Sequence, residues 1–233
     1  MINHISFSQL GKANHGWLNA NHHFSFARYY NPQRMGFGAL RVINDDVIAA
    51  QTGFDAHPHD NMEIITYVRS GAVSHRDSMG NQGVTKAGQV QVMSAGTGIV
   101  HEEHNLSDEE LTLYQIWIEP KSRNVKPQWG TKNFPTTQSS KLPLLVSGFE
   151  EDKDALFIHQ DARIYGGKVA AGTEFEHKID NQAYVLASSG EFALKGNGKE
   201  VTMNKGDGAE VTLQKSVTIR ALSDSEIVII DAP

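Results

Sequence analysis

The sequence predicts an all-β fold built as two copies of one barrel or sandwich. Three observations predict it. Short segments rich in Val, Ile, Thr, Tyr and Phe recur between Gly, Asn, Asp and Ser residues. Helical periodicity is weak along the whole chain. The pattern of the first half also returns in the second. Short, regularly spaced strands with turn formers between them are the mark of barrels and sandwiches.

Strands are expected at residues 40–43, 47–50, 63–69, 90–93 and 111–118, and again at 163–169, 184–187, 192–194, 217–220 and 227–230. Each combines β-branched or aromatic residues with flanking turn formers, which suits a half-buried pleated surface. Residues 152–160 suit a helical turn or two. Residues 121–141 read as a linker: they hold Pro127, Gly130, Pro135 and the run Thr136-Thr137-Gln138-Ser139-Ser140, with little apolar periodicity. A cut there gives one domain over 1–125 and another over 126–233.

The halves repeat one pattern. Tyr67-Val68 followed by Gly71 returns as Tyr184-Val185 followed by Gly190, and Val84-Thr85 with Gly88 returns as Val201-Thr202 with Gly206. Leu106-Ser107-Asp108 returns as Leu222-Ser223-Asp224. The step is 116 residues from Leu106 to Leu222 and 119 from Gly71 to Gly190, with the order kept. A steady step marks internal duplication.

At 233 residues the chain can bury a substantial core. Twenty-one Lys and Arg against 27 Asp and Glu give a net charge of −6, and no basic run forms a stripe, so a nucleic-acid surface is not expected. There is no cysteine, which excludes disulfides and thiolate metal sites and fits a reducing compartment. The first residues show no basic and apolar leader, and the longest apolar run, 227–230, is strand-sized. A cytoplasmic protein without membrane contact is expected.

The strongest chemical signal is His57-Pro58-His59, answered by His101-Glu102-Glu103. On a strand, residues two apart point to the same face. Two neighbouring strands thus aim three imidazoles and one carboxylate into one cavity. That donor set suits a borderline divalent cation. Pro58 places the first pair at a strand edge or start, where two same-face histidines make a poor core. Gly96-Thr97-Gly98 forms a turn that can swing His101 and Glu103 over the same cavity. Glu63 is a rival for the carboxylate position, since it keeps the parity of His57 and His59. His104 alternates to the other face, and His75 and Asp77 are candidates to hydrogen-bond a ligand imidazole. His4, His15, His22, His23, His159 and His177 read as surface or hydrogen-bonded histidines, although Phe24 and Phe26 put His22 or His23 near a possible pocket. Shifted by the repeat step, His57 and His59 fall among Glu174, Glu176, His177 and Lys178, and His101 and Glu103 fall on Val217 and Ile219. The second half keeps the frame and lacks the donor set, so one metal is expected, in the first half.

His57-x-His59-x-x-x-Glu63 followed by Gly71 resembles the first signature of the cupin superfamily, and Gly88, Gly96, His101 and Asn105 resemble the second, with a longer loop before His101. Gly53-Phe54-x-x-His57-Pro58-His59, Thr66-Tyr67-Val68, Asp77-Ser78-x-Gly80, Met93 to Ile99 and His101-x-Glu103 together resemble the pirin family. Phe24-Ser25-Phe26-Ala27 and Leu40 to Asp46 add to that resemblance, which covers nearly all of the first half. It implies a bicupin of two β-sandwich or jelly-roll barrels packed together, with metal in the N-terminal one. It also implies Glu103 as fourth ligand and Glu63 unbound.

The resemblance further implies iron, or nickel, manganese, cobalt, copper or zinc in its place, and an oxidoreductase similar to quercetin 2,3-dioxygenases. Glu103 would then be general base as well as ligand. The expected partners are a flat phenolic substrate and dioxygen, acting on a monomer. A regulatory, partner-binding protein without turnover is the alternative. Phe24, Phe26, Phe37, Phe54, Met93 and Trp117 are candidates to line the pocket.

Overall fold

The computed structural model describes all 233 residues: 22 strands and one 3-10 turn at Phe7–Gln9. The chain divides into two units. One is Gly11–Phe134 with Leu156–Gln160; the other is Met1–Leu10, Pro135–Ala155 and Asp161–Pro233.

In the first unit a four-stranded sheet runs in the order Thr52–His59, Ile99–Asn105, Ala72–Asp77, Gln82–Lys86. A seven-stranded sheet runs Gln128–Asn133, Gln89–Ser94, Glu63–Ser70, Leu111–Ile118, Leu40–Ile48, Leu18–His22, Gly11–Asn14. Because strand side chains alternate, every second residue of the larger sheet points inward, and these residues form bands. Leu18, Ala20, Ile48, Val68, Leu111 and Leu113 pack with Val73 of the smaller sheet in one apolar band. Ile64, Met93, Ala95 and Ile99 pack with Trp117 and Trp129 in another. Between them a polar row crosses six strands in register: His22, Asn44, Gln115, Thr66, Gln91, Thr131.

The second unit repeats this topology. Its smaller sheet runs Glu174–Lys178, Ser216–Ala221, Glu191–Gly196, Lys199–Asn204. In its larger sheet Ile2–Ile5, Gly208–Val211, Gln182–Ser189, Ser225–Ala232, Arg163–Val169 and Leu144–Ser147 lie side by side. Gly71 and Gly190 turn between equivalent strands at φ 76° and 73°. Those left-handed values favour glycine, so the repeated Gly has a backbone reason. Its apolar core includes Val185, Phe192, Leu194, Val217, Ile219 and Ile229.

Four expectations change. Residues 40–43 and 47–48 belong to one strand, Leu40–Ile48, and 49–50 lie beyond its end. Asn44 breaks its apolar pattern within the interior polar row, and Asp46 breaks it between Ala20 and Leu113, where it lines the cavity. The linker 121–141 contains the strand Gln128–Asn133, paired with Gln89–Ser94. Trp129 anchors it, lying so close over Gly83 that a Cβ there would meet the indole at 2.3 Å. Residues 152–160 form turns and the two-residue strand Leu156–Phe157 instead of a helix. There Asp152 is held outside any helix, accepting from Ser147 Oγ at 2.6 Å and Arg163 Nε at 2.7 Å. Finally, the division differs from a cut at 125/126. Ile2–Ile5 pairs with Gly208–Val211, while Gln128–Asn133 stays with the first unit, so each larger sheet takes an edge strand from beyond the repeat.

Candidate metal centre

His57 and His59 lie on the edge strand Thr52–His59, and His101 and Glu103 on its neighbour Ile99–Asn105. The antiparallel register sets His101 directly opposite His57, and Ile99 opposite His59. A register shift between His101 and Glu103 marks a bulge beside the cluster. Bulges re-aim side chains, and this one lies where a re-aimed pair is needed.

The structure brings His57, His59 and His101 together, with their donor atoms within 4.8 Å of one another. His57 Nε2 faces His101 Nε2 at 3.1 Å. His57 Nδ1 lies 2.7 Å from the Asp55 carbonyl oxygen, so Nδ1–H donates there and Nε2 keeps its lone pair. Burial, then the imidazoles of His57 and His75, lower the His101 pKa to about 3. Burial, then His101 and His57, lower that of His59 to about 4. Both rings are therefore neutral at pH 7. His101 Nδ1 is enclosed without a hydrogen-bond partner. Without a cation His101 Nε2–H donates to His57 Nε2. With that proton moved to Nδ1, three neutral imidazoles offer converging lone pairs, and nitrogens on one divalent ion lie about 3–4 Å apart, given bonds of about 2.0–2.1 Å. The donors present fit such an ion.

Glu103 is 3% exposed and falls in a second cluster with His75 and His101, the latter common to both. Its carboxylate is gripped from the larger sheet. Gln91 Nε2 donates to Oε1 at 2.6 Å and Gln115 Nε2 to Oε2 at 2.9 Å. Thr66 closes the ring, accepting from Gln91 Nε2 at 3.3 Å and donating to Gln115 Oε1 at 3.1 Å. Thr85 Oγ donates to Gln91 Oε1 at 3.1 Å and fixes which way that amide points. Every donor is used consistently, so the ring holds Glu103 as an acceptor.

Glu63 and Asp77 belong to neither cluster, whereas His75 shares the second one with His101 and Glu103. Glu63 begins the next strand after the turn at Asn61 (φ 43°), which breaks the parity it was expected to share with His59. Its Oε2 accepts from Ser94 Oγ at 2.6 Å. His75 and Asp77 bond each other, Nε2 to Oδ2 at 2.9 Å, and His75 stacks on Trp129 at 4.9 Å. Sequence reasoning missed Thr66, Gln91, Gln115 and Asp46. The signal was present: Gln115 interrupts the inward series Leu111, Leu113, Trp117 with a single amide.

The cluster opens into a cavity of about 1030 Å³. Of the six residues expected to line it, Phe26, Phe54 and Trp117 do, whereas Phe24, Phe37 and Met93 do not. Rings run along one wall: His22 to Phe26 at 5.6 Å, Phe26 to Trp117 at 5.4 Å, Trp117 to His59 at 5.0 Å. No helix is long and apolar enough to cross a membrane.

Comparison with known proteins agrees. Residues 5–118 match the Pirin family model, and residues 144–232 match that of the quercetinase C-terminal cupin domain. A pirin-like protein of Caulobacter vibrioides is 50% identical over the full length of both chains. A quercetin 2,3-dioxygenase of Escherichia coli K12 is 42% identical over 97% of this chain and 96% of its own. The crystal structure of the E. coli bacterial pirin YhhW in complex with nickel(II) superposes with a TM-score of 0.92 at 42% identity, covering 100% of this chain and 99% of that one. A two-domain cupin with a His/Glu metal-site candidate in its first unit, the chain belongs to the pirin family.

Proposed function

We propose that the protein is a metal-dependent dioxygenase that opens the central ring of a flavonol such as quercetin and releases CO. The observation that carries this reading is the three-imidazole cluster, with Glu103 held beside it, opening into an aromatic-walled cavity. The names and nickel complex of the E. coli relatives support it. His57, His59, His101 and Glu103 would hold the ion, iron first and nickel or another divalent metal in its place. The bound ion would supply a Lewis acid that lowers the pKa of a substrate hydroxyl and an open coordination position to orient it.

The residues of the chain do the rest. Gln91 and Gln115 take up one lone pair on each Glu103 oxygen and leave another free. Glu103 therefore has an acceptor site for the proton of the flavonol 3-hydroxyl. Trp117 and Phe26 present apolar faces that seat a flat ring and exclude water. In the overall reaction both oxygen atoms of O2 end on the two carbons flanking the 3-position, and the carbon between them leaves as CO.

The test is to load the protein separately with iron, nickel and manganese, and to follow loss of the near-visible absorbance of quercetin together with CO. Turnover with at least one metal is expected, falling about 10²–10⁴-fold in Glu103→Gln. Turnover unchanged in His57→Ala, or absent with every metal, would reject the reading.

A further inference from the structure

The cavity has a polar end that the chemistry at the three histidines does not use. Asp46 lines it from the strand Leu40–Ile48 and is 4% exposed. Its Oδ1 is enclosed with no hydrogen-bond partner. Its register neighbours are Ala20 on one side and Leu113 on the other, both members of an apolar band. A carboxyl set in such a band, with an unpartnered oxygen, carries a standing cost that a polar ligand would relieve. Burial, then the charges of Asp45 and Glu103, raise its pKa to about 8.

His22 lies on the next strand, two residues from Ala20 and opposite Asn44, which makes it a diagonal neighbour of Asp46 on the same face. His22 Nδ1 is 2.7 Å from Asn44 Oδ1, so Nδ1–H donates there and Nε2 is an acceptor. Tyr29 stacks on the His22 ring at 6.1 Å, and the wall of rings described above joins His22 to His59. The surface therefore runs from imidazoles suited to a cation, along flat apolar faces, to the His22 acceptor beside the Asp46 carboxyl group.

We propose that Asp46 and His22 form a specificity subsite of this cavity and select planar phenolics carrying two vicinal hydroxyls on one ring. One hydroxyl donates to His22 Nε2 and its neighbour donates to the unpartnered Oδ1 of Asp46. The inference rests on the phenolic reading of the cavity and deepens it by naming the substrate class. A single hydroxyl would leave one of the two groups unpaired, and a buried unpaired group discriminates strongly between ligands.

The test is equilibrium binding to zinc-loaded protein under nitrogen, where no turnover occurs, read by quenching of tryptophan fluorescence. The probes are quercetin, with its vicinal diol, and galangin, the same flavonol without hydroxyls on that ring. Wild type is expected to prefer quercetin about tenfold. Asp46→Val should bring the two affinities within about twofold, and Asp46→Asn should keep most of the preference. Should Asp46→Val fail to fold, His22→Phe keeps the ring stack, removes the acceptor, and should show the same loss. No preference in wild type, or a preference that survives both Asp46→Val and His22→Phe, would overturn the inference. A preference that Asp46→Val abolishes, in a protein without turnover on any metal, would leave this inference standing and remove the dioxygenase reading. Turnover with the preference untouched would do the reverse. Binding of neither flavonol would reject both.

Discussion

His177 stands in the second unit where His57 stands in the first: His57 pairs with His101 across its sheet, and His177 pairs with Val217 across the equivalent one. One position therefore carries the same residue type in two environments. His57 lies among donors. His177 lies edge-on to Tyr165 at 4.6 Å, with Nε2 enclosed and unpartnered.

That position gives the protein an acid-sensitive contact. Burial lowers the His177 pKa to about 4, against 6.5 in the unfolded chain. The folded state therefore refuses a proton that the unfolded state accepts. The stability from the neutral ring is complete above about pH 6.5 and is lost as pH falls toward 4, by up to about 3 kcal/mol. Urea midpoints of wild type and His177→Leu, measured from pH 7 to 4, should show the difference shifting in favour of His177→Leu as pH falls, because only wild type carries this loss. Parallel curves would show that His177 is not the group responsible.

The Gln91–Thr66–Gln115 ring should matter more to the metal than to the fold. Gln115→Leu leaves Glu103 Oε2 without its donor and should destabilise the metal-free protein by about 1–3 kcal/mol. Metal affinity, measured by competition with a chelating dye, should fall about 10–100-fold, as for other residues that orient ligands. Unchanged affinity would show that Glu103 keeps its place without the ring.

Gly53 permits the two ligand-bearing strands to meet. A Cβ there would come within 2.3 Å of the Glu103 carbonyl oxygen and 2.5 Å of His104 Cα. These are backbone atoms and cannot swing aside, so Gly53→Ala must spread the strands next to the bulge. We expect a loss of about 1–3 kcal/mol in chemical denaturation, together with lower metal content on purification.

Metal retention should sort the histidines. His57→Ala, His59→Ala and His101→Ala should each lower bound metal well below one equivalent by elemental analysis. His104→Ala, on the opposite face of its strand, should retain it. Chelation of wild type should lower its melting temperature, because an ion bound only to the folded state at about 100 times its Kd contributes about 2.7 kcal/mol.

The all-β class, the duplication and the histidine cluster were legible because each rests on local pattern. Strand composition, repeated left-handed glycines and same-face spacing all show in a window of a few residues. What could not be read depends on partners far away in sequence. Asn44 and Asp46 look like a break between two strands until Gln115 and His22 arrive beside Asn44 in register, and Leu113 and Ala20 beside Asp46. Glu63 seemed to share a face with His59 because parity counts straight through a turn that the structure shows to break the strand. Trp129 made an edge strand out of a segment rich in proline and serine, through a contact with Gly83 that no local pattern carries.

The most direct measurement is anomalous scattering at the metal edge from crystals of nickel-loaded protein. The predicted result is one peak per chain, bonded to His57, His59 and His101 with a Glu103 oxygen beside it. A peak next to His177, or a peak at the three histidines with no Glu103 oxygen within bonding distance of it, would contradict it.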